Sequence, residues 1–219
     1  MPNRSLLVVL PAILIGASCA LAGPKETFPD PAIDIPASAA HGKQTAVLAG
    51  GCFWGVEGVF ERLKGVKDVV SGFAGGDKST AHYETVSTGT TGHAESVKIT
   101  YDPSQITFGQ LLKVYFSVAH DPTELNRQGP DTGTQYRSAI FYVDDEQKKV
   151  AEAYIQQLDK SDVFSRRIVT QVVPLSGFYA AETYHQHFLD NNPDNAYIRY
   201  NDLPKLAALK KEYPQMCKR

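Results

Sequence analysis

Thr45-Ala46-Val47-Leu48-Ala49-Gly50-Gly51-Cys52-Phe53-Trp54-Gly55-Val56 carries the chain out of an apolar run and into a segment of helical spacing. Residues 45–49 read as a buried strand, and Val56, Val59, Phe60 and Leu63 place a helix over residues 52–63. Cys52 therefore stands at a strand-to-helix junction. The first amides of a helix have no internal acceptor and the aligned peptide dipoles favour negative charge. A thiol there is expected to ionise more readily than one in free solution and to act as a nucleophile. Gly50 and Gly51 let another backbone approach, and Phe53 and Trp54 bring apolar surface to the sulfur.

Outward from this junction the two periods alternate. After the stop at Gly65, residues 66–74 read as a second strand, and glycines punctuate a polar loop over residues 75–92. Over residues 93–101, Ala94, Ser96, Lys98 and Thr100 alternate with Glu95, Val97, Ile99 and Tyr101, the pattern of a half-buried strand closed by Pro103. Phe108, Leu111, Leu112, Tyr115 and Phe116 return to helical spacing. A strand is expected over 136–143, a helix over 145–158, a strand over 167–173, a short helical piece over 182–189, and then a long coil tail. The core order β-α-β-β-α-β predicts an α+β fold, a ferredoxin-like split βαβ two-layer sandwich with C-terminal additions. A doubly wound parallel sheet is the alternative, but two consecutive central strands with no helix between them weigh against it.

The N-terminus reads as a signal for export. An apolar run over residues 6–15 follows the single basic residue Arg4, and Ala20-Leu21-Ala22 offers a small-x-small cleavage pattern, so residues 1–22 are expected to be removed. Lipidation at Cys19, just after the apolar run, is one alternative, and an apolar segment left uncleaved as an anchor is another. The expected location is outside the inner compartment, periplasmic or anchored at a membrane. Residues 23–43, with Pro24, Pro29, Pro31 and Pro36, read as a disordered tether, and the folded domain is expected over residues 44–219. The formal charge of −2 becomes −3 when Arg4 leaves with the signal, which argues against nucleic acid as a partner. Cys52 and Cys217 are then the thiols that remain, and in an oxidising compartment they read either as one structural disulfide or as a bond that forms and breaks.

Four separated blocks resemble the A-type peptide methionine sulfoxide reductases. They are Gly51-Cys52-Phe53-Trp54-Gly55, Gly92-His93-Ala94-Glu95, Gly133-Thr134-Gln135-Tyr136-Arg137-Ser138, and Ala181-Glu182 with Tyr184-His185-Gln186. The resemblance implies that Cys52 attacks the sulfur of a methionine S-sulfoxide, free or in a protein, releases methionine and is left as a sulfenic acid. It implies Glu95 as the acid that protonates the departing oxygen, which requires a carboxyl buried enough to keep its proton. By the same resemblance Tyr83 and Tyr136 donate to the sulfoxide oxygen, Phe53 and Trp54 receive the methyl group, and Asp131 and His185 support the site. Cys217 would reset the sulfur through a Cys52–Cys217 disulfide, which a thioredoxin-like partner reduces by exchange. No organic cofactor and no metal is implied, since His185 and His187, two apart, do not share a helical face. A cysteine hydrolase using His93 or His185 as base, and a redox-responsive module that only binds oxidised methionine or an apolar peptide beside Phe53 and Trp54, are the competing classes.

Overall fold

The computed structural model describes residues 28–36 and 42–218. The expected export signal and Cys19 lie outside the described residues. Strand β1 (Gln44–Gly50) leads to helix α1 (Phe53–Glu61), strand β2 (Val66–Ala74), the short helix α2 (Tyr83–Val86), strand β3 (Ala94–Tyr101) and helix α3 (Phe108–Val114). A small ribbon of β4 (Arg127–Gln128) and β5 (Asp131–Thr132) precedes strand β6 (Ser138–Tyr142) and helix α4 (Asp145–Lys160). Strands β7 (Gln171–Pro174) and β8 (Phe178–Ala180) and helices α5 (Phe188–Asn191) and α6 (Leu203–Glu212) complete the chain.

The main sheet is mixed, in the order β7-β6-β1-β3-β2-β8, with β6 and β7 parallel and the other neighbours antiparallel. The fold is α+β. Alternation along β1 explains how it is covered: Ala46 and Leu48 join the large core shared with Val56, Phe60, Leu111 and Tyr154, while Val47 and Ala49 face a smaller cluster with Ala94 and Phe141. Helix starts are written locally. Thr107 accepts from the backbone N–H of Gln110 and Gln110 reciprocates, a capping box on α3, and Asp144 caps α4 by accepting from the N–H of Gln147.

Two expectations are corrected here. Part of the proline-rich segment read as a free tether lies along the domain. Tyr154 donates to the Pro29 carbonyl at 2.6 Å, Ala32 N–H to Gln157 at 2.8 Å, and Asp34 accepts from Gly109 N–H at 2.8 Å and from the Thr107 hydroxyl. Asp34 thus serves the first turn of α3, whose free amides welcome a carboxylate. Proline composition argued for disorder, but long-range partners decided otherwise. The coil tail is likewise not coil, because a π turn over Ile198–Asp202 runs into α6, with Leu206 and Leu209 buried. Pro204 stands in the first turn of α6, where its missing N–H costs no hydrogen bond.

Candidate active site

The junction is shaped by what presses on it. Gly51 adopts φ +86°, and a Cβ there would lie 2.5 Å from the Gln128 side chain; a Cβ on Gly50 would lie 2.9 Å from the His120 ring. Cys52 is the N-cap residue of α1, with its residue surface 8% exposed. Opposite it, β3 presents Glu95, which is 2% exposed, and its carboxyl accepts the N–H of Phe53 at 3.1 Å. The acid thus takes the first free amide of the helix on which the cysteine sits. Cys52, Phe53, Trp54, Tyr83, Glu95, Asp131, Tyr136, Asn195 and Tyr197 line one cavity of about 300 Å³. A wider groove of about 530 Å³ beside Glu61 and His187 has no cysteine in its lining.

The resting electrostatics reverse one expectation. Burial pushes the Cys52 thiol well above its ordinary range, with Glu95 and then Asp202 adding to the effect; the Trp54 backbone N–H and Lys205 pull the other way without overcoming it. Desolvation here outweighs the helix dipole, so the sulfur rests as a thiol. Burial also pushes the Glu95 carboxyl up to about 8, against the Phe53 N–H, with Asp131 contributing to the rise. The carboxyl therefore holds a proton at neutral pH, as the acid role implied by the resemblance would require. Tyr83 and Tyr136 are raised by burial first and by Glu95 next, and both stay neutral phenols.

Of the residues singled out in the sequence, the cavity gathers Cys52, Phe53, Trp54, Tyr83, Glu95, Asp131 and Tyr136. His185 stands behind the wall: its Nδ1 accepts the Trp54 indole N–H at 3.2 Å, and its ring lies 4.2 Å from that of Tyr83. Phe188 stacks on the indole at 3.8 Å, so Trp54 is fixed from two sides. Cys217 is not brought to the cavity. It pairs with Leu63 in an isolated antiparallel bridge, flanked by Lys64 N–H donating to the Met216 carbonyl (2.8 Å) and Lys218 N–H to the Arg62 carbonyl (2.7 Å). That is the far end of α1 from Cys52. His93, the other candidate base for a hydrolase, is held by Gly76 N–H and the Asp77 carbonyl.

Residues read as tail supply the rest of the site. Tyr197 donates to Asp131 and meets the Trp54 ring edge-on at 5.8 Å. Asp202, with no exposed surface, and Lys205 lie against Gly55 in the first turn of α1. The helical spacing of Ile198, Leu206 and Leu209 was the available signal, masked by Pro204. Gly55→Ala tests this packing. Alanine ordinarily favours a helix by about 1 kcal/mol over glycine, but its Cβ would lie 2.0 Å from Asp202 Oδ1. Overpacking should win, with a net loss of about 1–3 kcal/mol in urea unfolding; a stabilised variant would contradict the close approach.

Residues 44–217 match the family model described as peptide methionine sulfoxide reductase. The chain is 61% identical over 178 residues to peptide methionine sulfoxide reductase MsrA 2 of Mesorhizobium japonicum, covering 81% of this chain and 91% of that protein. It is 52% identical over 195 residues to the protein of the same description from Synechocystis sp., covering 88% and 91%. Among solved structures, reduced Mxr1 of Saccharomyces cerevisiae is similar with a TM-score of 0.63 at 36% identity, covering 70% of this chain and 87% of that one. Methionine sulfoxide reductase A of Corynebacterium diphtheriae is similar with a TM-score of 0.62 at 34% identity, covering 84% and 93%.

Proposed function

The chain belongs to the peptide methionine sulfoxide reductase family, and on that footing we propose that it reduces methionine S-sulfoxide, free or in oxidised proteins, to methionine. The observation that carries this reading is one cavity joining a cysteine sulfur, a carboxyl that keeps its proton at neutral pH, two neutral phenols and an immobilised indole. A sulfoxide needs a nucleophile at sulfur and a proton donor at oxygen, on opposite sides, and this cavity offers both. Trp54 and Phe53 receive the methyl group, Tyr83 and Tyr136 donate to the oxygen, and Asp131, held by Tyr197, orders the polar side.

The Cys52 sulfur bonds to the sulfoxide sulfur; the S–O bond then breaks, and the S–S bond in turn gives way as the oxygen is transferred to Cys52, leaving a sulfenic acid and free methionine. The methionine sulfur is reduced and Cys52 oxidised by the same two electrons. Glu95 supplies the proton to the oxygen and recovers one from the thiol. Attack by the Cys217 thiol on the sulfenic acid then releases water and leaves a Cys52–Cys217 disulfide, which a thioredoxin-like dithiol reduces by exchange. The β1-α1-β2-β3 unit with β6, in the sheet order β6-β1-β3-β2, fits a ferredoxin-like split βαβ core. The N-terminal sequence supports export, with the enzyme working in the periplasm or anchored at a membrane.

A reduced enzyme sample mixed with methionine S-sulfoxide in the absence of any donor tests the reading. Methionine should appear with the loss of two thiols per molecule, and Cys52→Ser should form none. Methionine sulfoxide that binds and leaves unchanged would favour the binding module, and both thiols surviving a product-forming turnover would favour hydrolysis.

A further inference from the structure

Asp202 ends the π turn before α6 and is fully buried, yet one of its carboxylate oxygens has no donor among the described residues. The other accepts from the Lys205 ammonium at 3.1 Å. Both side chains press on α1 at Gly55: a Cβ there would lie 2.0 Å from Asp202 Oδ1 and 2.8 Å from Lys205 Nζ. Cys52 is the N-cap of that same turn, three residues earlier. A lysine at a helix N-terminus opposes the dipole, so it adds nothing to α1 on its own account. A buried ion pair is also weak support for a fold, because desolvating two charges offsets their attraction. The arrangement makes sense as electrostatics aimed at the sulfur.

Resting on the reading of Cys52 as the nucleophile, we propose that Asp202 and Lys205 are positioning residues that set how readily Cys52 becomes a thiolate. Lys205 is the cation that supports the anion; Asp202 fixes that cation and offsets it. Among the described residues, the other ionisable groups that line the cavity with the sulfur supply no positive charge: Glu95 from β3, Asp131 from β5, Tyr83 from α2, Tyr136 from the 3-10 turn over Thr134–Tyr136, and Tyr197 from the start of the π turn. Around Asp202 itself, Lys205 and Asp131 are the charges that act on it. The sign of each effect on Cys52 agrees, since Asp202 opposes the thiolate and Lys205 favours it.

The rate of Cys52 alkylation by iodoacetamide between pH 6 and 10.5, read on the Cys52 peptide by mass spectrometry in the full chain, tests the pair. Below the midpoint the rate follows the thiolate fraction, so a shift of half to one unit appears as a change of about three- to tenfold. Lys205→Met should slow alkylation at pH 7 by that factor and move the midpoint up. Asp202→Asn should speed it and move the midpoint down, while Lys205→Arg should stay near wild type. The double variant Asp202→Asn/Lys205→Met, which leaves no unpaired charge, should fall between the single variants. Should Lys205→Met not fold, Asp202→Asn and the double variant decide. Shifts in the same direction for the two single changes, or an unmoved midpoint in folded Asp202→Asn, would overturn the proposal. Because the assay reads thiol ionisation and not turnover, it gives its answer even in a protein without reductase activity.

Discussion

Single-turnover reduction of methionine S-sulfoxide by the Glu95→Gln enzyme is expected to run about 10²–10⁴-fold slower than wild type, with much less change in sulfoxide affinity. Glutamine can still accept the Phe53 N–H that Glu95 accepts, so the start of α1 and the cavity wall stay in place. What disappears is the transferable proton. An interaction used only as the S–O bond breaks lowers the chemical rate without weakening binding. An unchanged rapid-quench rate would remove Glu95 from the acid role.

The same substitution has an effect on stability whose sign follows from burial. Glu95 titrates near 8 in the folded protein and near 4.5 when unfolded. Between those values the folded state holds more protons, so wild-type stability is fullest below the lower value and is lost as pH rises through the upper one. Glu95→Gln has no such dependence. Its stability relative to wild type should therefore increase between pH 5 and 9, by on the order of a few kcal/mol. Glu57, pushed up to about 7 mainly by burial, contributes a dependence of the same sign to both proteins and cancels in the comparison. Paired thermal unfolding series across that range check the difference, and parallel curves would mean that Glu95 is ionised in the folded state.

Cys217→Ser should still make about one methionine per enzyme without a donor, yet lose nearly all multiple turnover with a thioredoxin-type reductant. Full turnover in that variant would take Cys217 out of the cycle. The structure adds a kinetic expectation. Cys217 is paired beside Leu63, and the nine residues of α1 separate that end from Cys52. At about 1.5 Å of rise per residue the helix alone spans roughly 13 Å, whereas a disulfide needs Cα atoms within about 7 Å. Residues 213–217, extended at about 3.4 Å each, reach roughly 17 Å. The tail must therefore leave its bridge before the bond can form. Truncation after Cys217 removes the bonds from Lys218 N–H to Arg62 and from Lys218 Nζ to the Glu61 carbonyl. It should speed disulfide formation several-fold in a quenched time course; an unchanged rate would place the slow step elsewhere.

Much of the fold was legible because it rests on local periods. The switch from strand to helix at Gly50-Gly51-Cys52, the alternation along Ala94–Tyr101 and the capping residues Thr107 and Asp144 are each satisfied within a few residues. The cavity was legible through sequence blocks that resemble one family, and seven of the residues named from them line it. The strap around Asp34 and helix α6 were not, because their stability comes from partners far along the chain that composition and proline content do not reveal.

The charge state of Cys52 shows where the division falls. Sequence alone placed the sulfur at the start of a helix, opposite an acid, because backbone periodicity and a run of matching residues are local properties. Tertiary packing of distant segments is what leaves this sulfur protonated, brings Asp202 and Lys205 against its helix, and holds Cys217 at the other end of that helix. Desolvation and Coulomb interactions depend on what packs around a group from every direction, and that is set by chain segments more than a hundred residues apart.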